Sequence, residues 1–161
     1  MGEARGTFEP GEGLSLEALE AHPFAGMLAA RGWVLSPSWL GAGRRTLLGL
    51  CTECPSCDIT WMATVAGELV IVDFERRGGR RGLYSPLRDM REFLRLAATP
   101  GSGIRKGVAK IKRVGNVEDG LDLARLTEAY RRLFHFEDLG RDERGFRWIG
   151  RLTADFHRDN P

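Results

Sequence analysis

Residues 58–75 read Asp58-Ile59-Thr60-Trp61-Met62-Ala63-Thr64-Val65-Ala66-Gly67-Glu68-Leu69-Val70-Ile71-Val72-Asp73-Phe74-Glu75, and their pattern decides the fold class. Ile59, Trp61, Ala63 and Val65 alternate with Thr60 and Thr64, the two-residue period of a strand with one buried face. Ala66-Gly67 has the length of a two-residue hairpin turn, with Gly67 supplying the positive φ that such turns need. Beyond it, Leu69, Val70, Ile71 and Val72 are apolar at every position, as a central strand covered on both faces must be. A hairpin with so apolar a second strand requires further strands beside it and helices over it.

Both flanks supply them. Upstream, residues 46–51 form a third strand. Ser15 caps a short amphipathic helix through Leu16, Leu19 and Glu20, and His22-Pro23 breaks it. A second short helix carries Phe24, Met27 and Leu28 to a stop at Gly32. Residues 33–39, which hold Pro37, read as an extended connector. Downstream, Ser85 is an N-cap and Pro86 the first helical position, ahead of an apolar stripe of Leu87, Met90, Phe93, Leu94 and Ala97. Thr99-Pro100-Gly101 ends that helix. Residues 107–114 are a strand with Lys110 and Lys112 on one face and Ala109 and Ile111 on the other. Asp119 or Asp122 caps a further helix with the stripe Leu123, Leu126, Tyr130, Leu133 and Phe134. Residues 137–144 are a polar loop and residues 146–152 a last strand. The order helices-β-β-β-α-β-α-β predicts an α+β fold, a mixed, mainly antiparallel sheet with packed helices. Residues 1–13, with their glycines and Pro10, read as a flexible N-terminal tail, and 14–161 as a single domain.

Composition narrows the class. A chain of 161 residues buries about two-thirds of its unfolded surface. With 42% hydrophobic and 29% charged residues it has ordinary globular composition, which excludes disorder and a membrane protein. No apolar run approaches the roughly 20 residues of a spanning helix. The N-terminal residues, with Glu3, Glu9 and Glu12, lack the basic start and apolar stretch of a secretory signal, so a cytoplasmic location is expected. The net charge of +2 is too small to imply nucleic acid globally. A local patch of Arg76, Arg77, Arg80, Arg81, Lys110 and Lys112 could meet phosphates, but no reading helix or aromatic platform accompanies it.

Two motifs carry chemistry. Cys51, Cys54 and Cys57 are all the cysteines of the chain and form Cys-x-x-Cys-x-x-Cys between two strands. Thiolates two residues apart can converge on one Zn²⁺ or Fe–S centre, or two of them can form a small redox disulfide. Zinc is the expected cofactor. Its fourth ligand would be Asp58, Glu53, one of His22, His135 and His157, or a partner's residue. The plain alternative is three reduced thiols in a β-loop, as a reducing compartment favours. The second motif is the loop Arg76-Arg77-Gly78-Gly79-Arg80-Arg81-Gly82 ahead of a helix. Glycines permit close backbone approach and a helix N-terminus favours negative charge, so the loop is a candidate phosphate or pyrophosphate site.

Two family resemblances follow from these residues. The element order resembles the GNAT acyltransferase fold, in which the loop between the fourth strand and the next helix holds the pyrophosphate of coenzyme A. That implies acetyl-coenzyme A bound at residues 76–82, with Tyr130 similar to the family's general-acid tyrosine. The family's Arg/Gln-x-x-Gly-x-Gly/Ala motif is broken here, because Arg76 reaches Gly79 and then Arg81. Leu133 is followed by Phe134-His135 where the family has Gly-Phe. The resemblance therefore implies the architecture without the activity. The second likeness covers most of residues 24–152. Phe24-Ala-Gly-Met-Leu-Ala-Ala-Arg-Gly32, Arg45-Thr-Leu-Leu-Gly49, residues 68–77 and Leu83-Tyr-Ser-Pro-Leu-Arg-Asp-Met-Arg-Glu-Phe-Leu94 resemble the LcrR family of type III secretion regulators. It implies a small bacterial accessory protein in virulence secretion, acting on protein partners or as a homodimer, without catalytic residues. Expected first is such a non-catalytic contact protein, then a GNAT-type N-acetyltransferase, then a small zinc-binding, nucleic-acid-associated protein.

Overall fold

The computed structural model describes residues 11–41, 43, 46–76, 84–111, 128, 131–132, 136–143 and 147–151. Two short helices open the order, α1 (Leu16–Glu20) and α2 (Pro23–Ala30). Four strands follow, β1 (Val34–Leu40), β2 (Thr46–Glu53), β3 (Cys57–Ala63) and β4 (Glu68–Arg76). Helix α3 (Tyr84–Ala97) leads to β5 (Lys106–Ile111), and β6 (Glu137–Arg141) and β7 (Arg147–Arg151) close the order. The seven strands make one sheet in the order β1-β2-β3-β4-β5-β7-β6. All neighbours are antiparallel except β4 and β5, the parallel pair that needs a crossover, which α3 supplies. The fold is α+β with a mixed, mostly antiparallel sheet, as the pattern of residues 58–75 requires.

Helices α1, α2 and α3 pack on one face. Leu19, Phe24, Ala25 and Leu28 from α1 and α2, with Met90, Phe93, Leu94 and Ala97 from α3, bury against Leu50, Ile59, Trp61, Ala63, Leu69, Ile71 and Phe74 of the sheet. At the centre Phe24, Trp61 and Phe93 meet edge to face, with centroids 5.0 Å apart for Phe24–Trp61 and 5.1 Å for Phe24–Phe93. Such pairs add to area burial because ring edges are positive and faces negative. Trp61 is wholly buried, and its Nε1 donates to Thr52 Oγ1 at 2.8 Å. The second face of the sheet carries a smaller cluster, Val70, Val108 and Trp148, with Met62, Val72 and Leu139 beside it. β4 thus has apolar side chains on both faces, as its sequence demanded.

Caps and turns follow local chemistry. Ser15 Oγ accepts from the Ala18 amide at 3.2 Å, and His22 Nδ1 accepts from the Phe24 amide at 3.1 Å, so a neutral imidazole caps α2. Gly49 sits at φ +146°, where a Cβ would run into the Trp61 carbonyl oxygen, so β2 can close on β3 only with glycine there. Arg31 Nε reaches Glu92 Oε2 at 3.2 Å and ties the end of α2 to α3.

Several expectations need correction. Residues 33–39 contribute a paired strand and not a connector: β1 runs alongside β2 over its whole length, and Pro37 fits because the strand is at the sheet edge. Most of the expected polar loop of residues 137–144 is β6, the other edge strand, where charged side chains suit an exposed edge. The β3–β4 turn has three residues and not two. Gly67 N donates to Thr64 O at 3.0 Å and Thr64 N to Glu68 O at 2.9 Å, with Gly67 at φ +90°. Helix α3 begins at Tyr84, two residues ahead of Pro86. The end of the expected tail is tied to the sheet: Gly13 bridges Thr64, and Gly11 N donates to Glu68 Oε1 at 2.8 Å. Of the expected helix after residue 119, Glu128, Arg131 and Arg132 are described and are helical, with Glu128 3.8 Å from Arg131.

Candidate functional site

Register separates the three cysteines. In the β2–β3 ladder Thr52 faces Ile59 and Cys51 faces Thr60. Thr52 and Ile59 lie on the helix-covered face, so Cys51 and Thr60 lie on the other one, because side chains alternate along a strand. There burial pushes the Cys51 thiol up, the Thr60 hydroxyl partly opposes this, and the charges of Asp58, Glu53 and Glu75 push it further up. Cys54 and Cys57 lie under the helices, 1% and 0% exposed. Cys51 therefore does not converge with them on one ion. Among the described residues no group of three His, Cys, Asp or Glu stands so as to hold a metal. The motif predicts one site, and strand alternation divides it.

The turn from residue 54 to residue 57 is built around a carboxylate that sequence reasoning missed. Cys54 N donates to Cys57 O at 2.8 Å and closes the end of the hairpin. Ser56 N donates to Asp89 Oδ2 at 2.6 Å, and the same oxygen lies 4.0 Å from Cys57 Sγ. Cys57 Sγ also lies 3.9 Å from Pro86 O, and Cys54 Sγ lies 3.9 Å from Thr52 O. A hydrogen-bonding interaction with Cys54, in which the neutral Cys57 thiol is favoured, is the largest influence raising the Cys57 thiol, followed by burial and the charges of Cys54, Asp89 and Asp58. The Cys57 thiol is thus held toward its protonated form in the folded chain. Asp89 is 5% exposed and stands one position from Met90 on α3. A lone Asp in a helical stripe gives no signal of such a role until the hairpin end is docked on it.

A groove of about 580 Å³ lies on the second face. Met62, Val70 and Val72 form its floor, Trp39 and Trp148 stand at its sides, and Gly11, Gly13, Leu14, Ser15 and Leu16 make its rim. Trp148 is held by its Nε1, which donates to Asp142 Oδ2 at 3.0 Å. Lys110 is the cation among the described lining residues, which include no Cys, His, Asp or Glu. The rim is anchored by Glu68, which is 7% exposed. It accepts from Gly11 N and pairs with Lys106 Nζ at 3.0 Å. Burial alone would raise the Glu68 carboxyl, but the Gly11 amide, Lys106 and Thr64 together hold it below the usual carboxylate value. Alternation along residues 58–65 marks this face as the polar one, and the groove was not visible in that pattern.

The parallel pair has a second opening. β4 pairs with β5 only from Glu68 to Ile71, opposite Lys106 to Ala109, and then continues to Arg76 without β5 among the described residues. Lys110 and Ile111 stay with β7. The parting coincides with a bulge at Val72, because Thr60 faces Asp73 and Trp61 faces Ile71. A bulge adds a residue and bends its strand, which turns β4 away from β5. Arg76 ends β4; Arg77, Gly78, Gly79, Arg80, Arg81, Gly82 and Tyr130 lie outside the described residues. Among the described residues no helix is long and apolar enough to cross a membrane. The sequence matches no model of a known protein family, and no curated protein matches it.

Proposed function

We propose that the protein is a non-catalytic accessory or regulatory protein of the cytoplasm that works by protein contact, in the setting of a type III secretion apparatus. The observation that carries the reading is the groove, whose two tryptophans flank an apolar floor with no Cys, His, Asp or Glu among the described lining residues. Aromatic anchors over an apolar floor suit an amphipathic segment of a partner protein, because binding energy concentrates in a few such side chains. The LcrR-like segments supply the setting. The two cysteines beside α3 are buried and lie away from the groove.

The test is identification of proteins that co-purify from the native host, followed by measured affinity for the purified partner. Trp39→Ala and Lys110→Glu, each folded by circular dichroism, should weaken that affinity by about tenfold or more, some 1.4 kcal/mol. Unchanged affinity in both variants would remove the groove from the interface.

A second reading has one observation in its favour, the parting of β4 from β5. In sheets with parallel strands, ligands bind in the crevice beyond the carboxyl ends of the strands, and this one opens toward Arg76. It fits coenzyme A held by residues 76–82, with acetyl transfer assisted by Tyr130. Calorimetry with acetyl-coenzyme A at low salt tests it. Acetyl transfer to an amine, abolished by Tyr130→Phe and by Arg80→Ala with Arg81→Ala, would replace the first reading.

A further inference from the structure

We propose that Cys54 and Cys57 form a reversible dithiol–disulfide couple, a redox site in the β2–β3 turn that a small hydroperoxide oxidises and a dithiol reduces. The geometry is prepared for it. A four-residue turn brings its ends within about 7 Å at Cα, the span that a disulfide bridges. Here the ends are closed by the 2.8 Å bond from Cys54 N to Cys57 O, and both side chains are buried in the same helix-covered core. Cys51, on the other face of the sheet, cannot compete for either sulfur without breaking the ladder.

Asp89 stands beside the pair. Its Oδ2 is fixed by the Ser56 amide 2.6 Å away and lies 4.0 Å from Cys57 Sγ. A structural thiol pair needs no buried carboxylate, and a buried carboxylate beside two thiols is costly unless hydrogen bonds hold it. In the oxidation, the Cys54 sulfur attacks hydrogen peroxide: an S–O bond forms, the O–O bond breaks, and the departing hydroxide takes up the Cys54 thiol proton as water, giving a sulfenic acid. The Cys57 sulfur then gives up its proton as it attacks the Cys54 sulfur. The S–S bond forms, the S–O bond breaks, and the departing hydroxide takes up a proton as water. Overall two thiols and one peroxide give one disulfide and two waters, and a dithiol such as dithiothreitol reverses it by exchange. Both thiols are buried, so the reaction proceeds through local opening at the exposed Pro55, a smaller event than unfolding.

The consequence lies at α3. Cys57 as a thiol can donate to Pro86 O and to Asp89, and as a disulfide it can donate to neither, so the redox state is felt in the first turns of that helix.

The experiment treats the full chain, carrying Cys51→Ser, with hydrogen peroxide under native conditions and reads intact mass, free thiols and peptide mapping. The expected result is a loss of 2 Da, both thiols consumed together, a Cys54–Cys57 cross-link, and full reversal by dithiothreitol. Adding Cys57→Ser should leave a sulfenic acid on Cys54 that dimedone traps. In the natural chain the same cross-link should form with Cys51 still free. Thiols that stay reduced, that oxidise only at the rate of global unfolding measured in urea, or that pair with Cys51 instead would each overturn the proposal.

Discussion

The two faces of the sheet are built on different principles. Under the helices, Phe24, Trp61 and Phe93 fill the space edge to face, and every large side chain at the centre is fully buried. On the second face the buried cluster among the described residues is only Val70, Val108 and Trp148, and Trp39 is half-buried at the side of a groove. The first face secures the fold. The second leaves Trp39 only half-buried, where its side chain stabilises less.

The largest effect should come from the first face. Trp61→Ala removes a fully buried indole at the meeting point of three rings and should cost about 3–5 kcal/mol in urea denaturation. Trp39→Ala, half-buried on the edge strand, should cost about 1 kcal/mol or less. Equal losses would break the distinction between the faces.

Next in size is the hydrogen bond that orients Trp61. Thr52→Val keeps the volume and removes the acceptor of the indole N–H, leaving a donor wholly buried without that partner, at about 1–3 kcal/mol. Thr52→Ser keeps the hydroxyl and should cost less. A valine variant as stable as the natural chain would mean that the indole finds another acceptor.

The first face was readable from the sequence because its signals are periodic. Ile59, Trp61 and Ala63 on β3 and Met90, Phe93 and Leu94 on α3 each repeat at the spacing of their element, and they meet in one cluster. The edge strands were not readable. Pro37 hid β1 and the charges of Glu137, Asp138 and Arg141 hid β6, since an edge strand needs neither apolar alternation nor a full set of ladder bonds. The cysteine motif was visible as spacing but not as geometry. A Cys-x-x-Cys-x-x-Cys run that begins inside a strand puts its first sulfur on one face, and only the turn brings the other two together. Asp89, which completes that corner, is distant in sequence and carries no local mark. The groove combines residues from the N-terminal segment and from β1, β2, β3, β4, β5 and β7, so no window of sequence contains it.

Titration separates the two faces with the smallest effects. Glu68 anchors the groove rim, and its carboxyl is held below the usual value, so it favours the folded state above that value. That contribution is lost as pH falls through its lowered value, and Glu68→Gln should flatten stability against pH in the acid range. His22 acts on the first face, at the cap of α2 and 6.5 Å from the Trp61 ring. Burial lowers its pKa below 6.5, and Nδ1 can accept from the Phe24 amide only while that nitrogen is unprotonated. The unfolded imidazole takes up a proton first as pH falls. The His22 contribution is therefore complete above about 6.5 and is lost as pH falls from there through the lower folded value. His22→Asn keeps a side-chain acceptor at the cap and removes the titration. Its stability between pH 8 and pH 5 should be flatter than that of the natural chain, by about 1 kcal/mol or less, the size of a capping interaction. Parallel curves for the two proteins over that range would show that His22 does not couple α2 to pH.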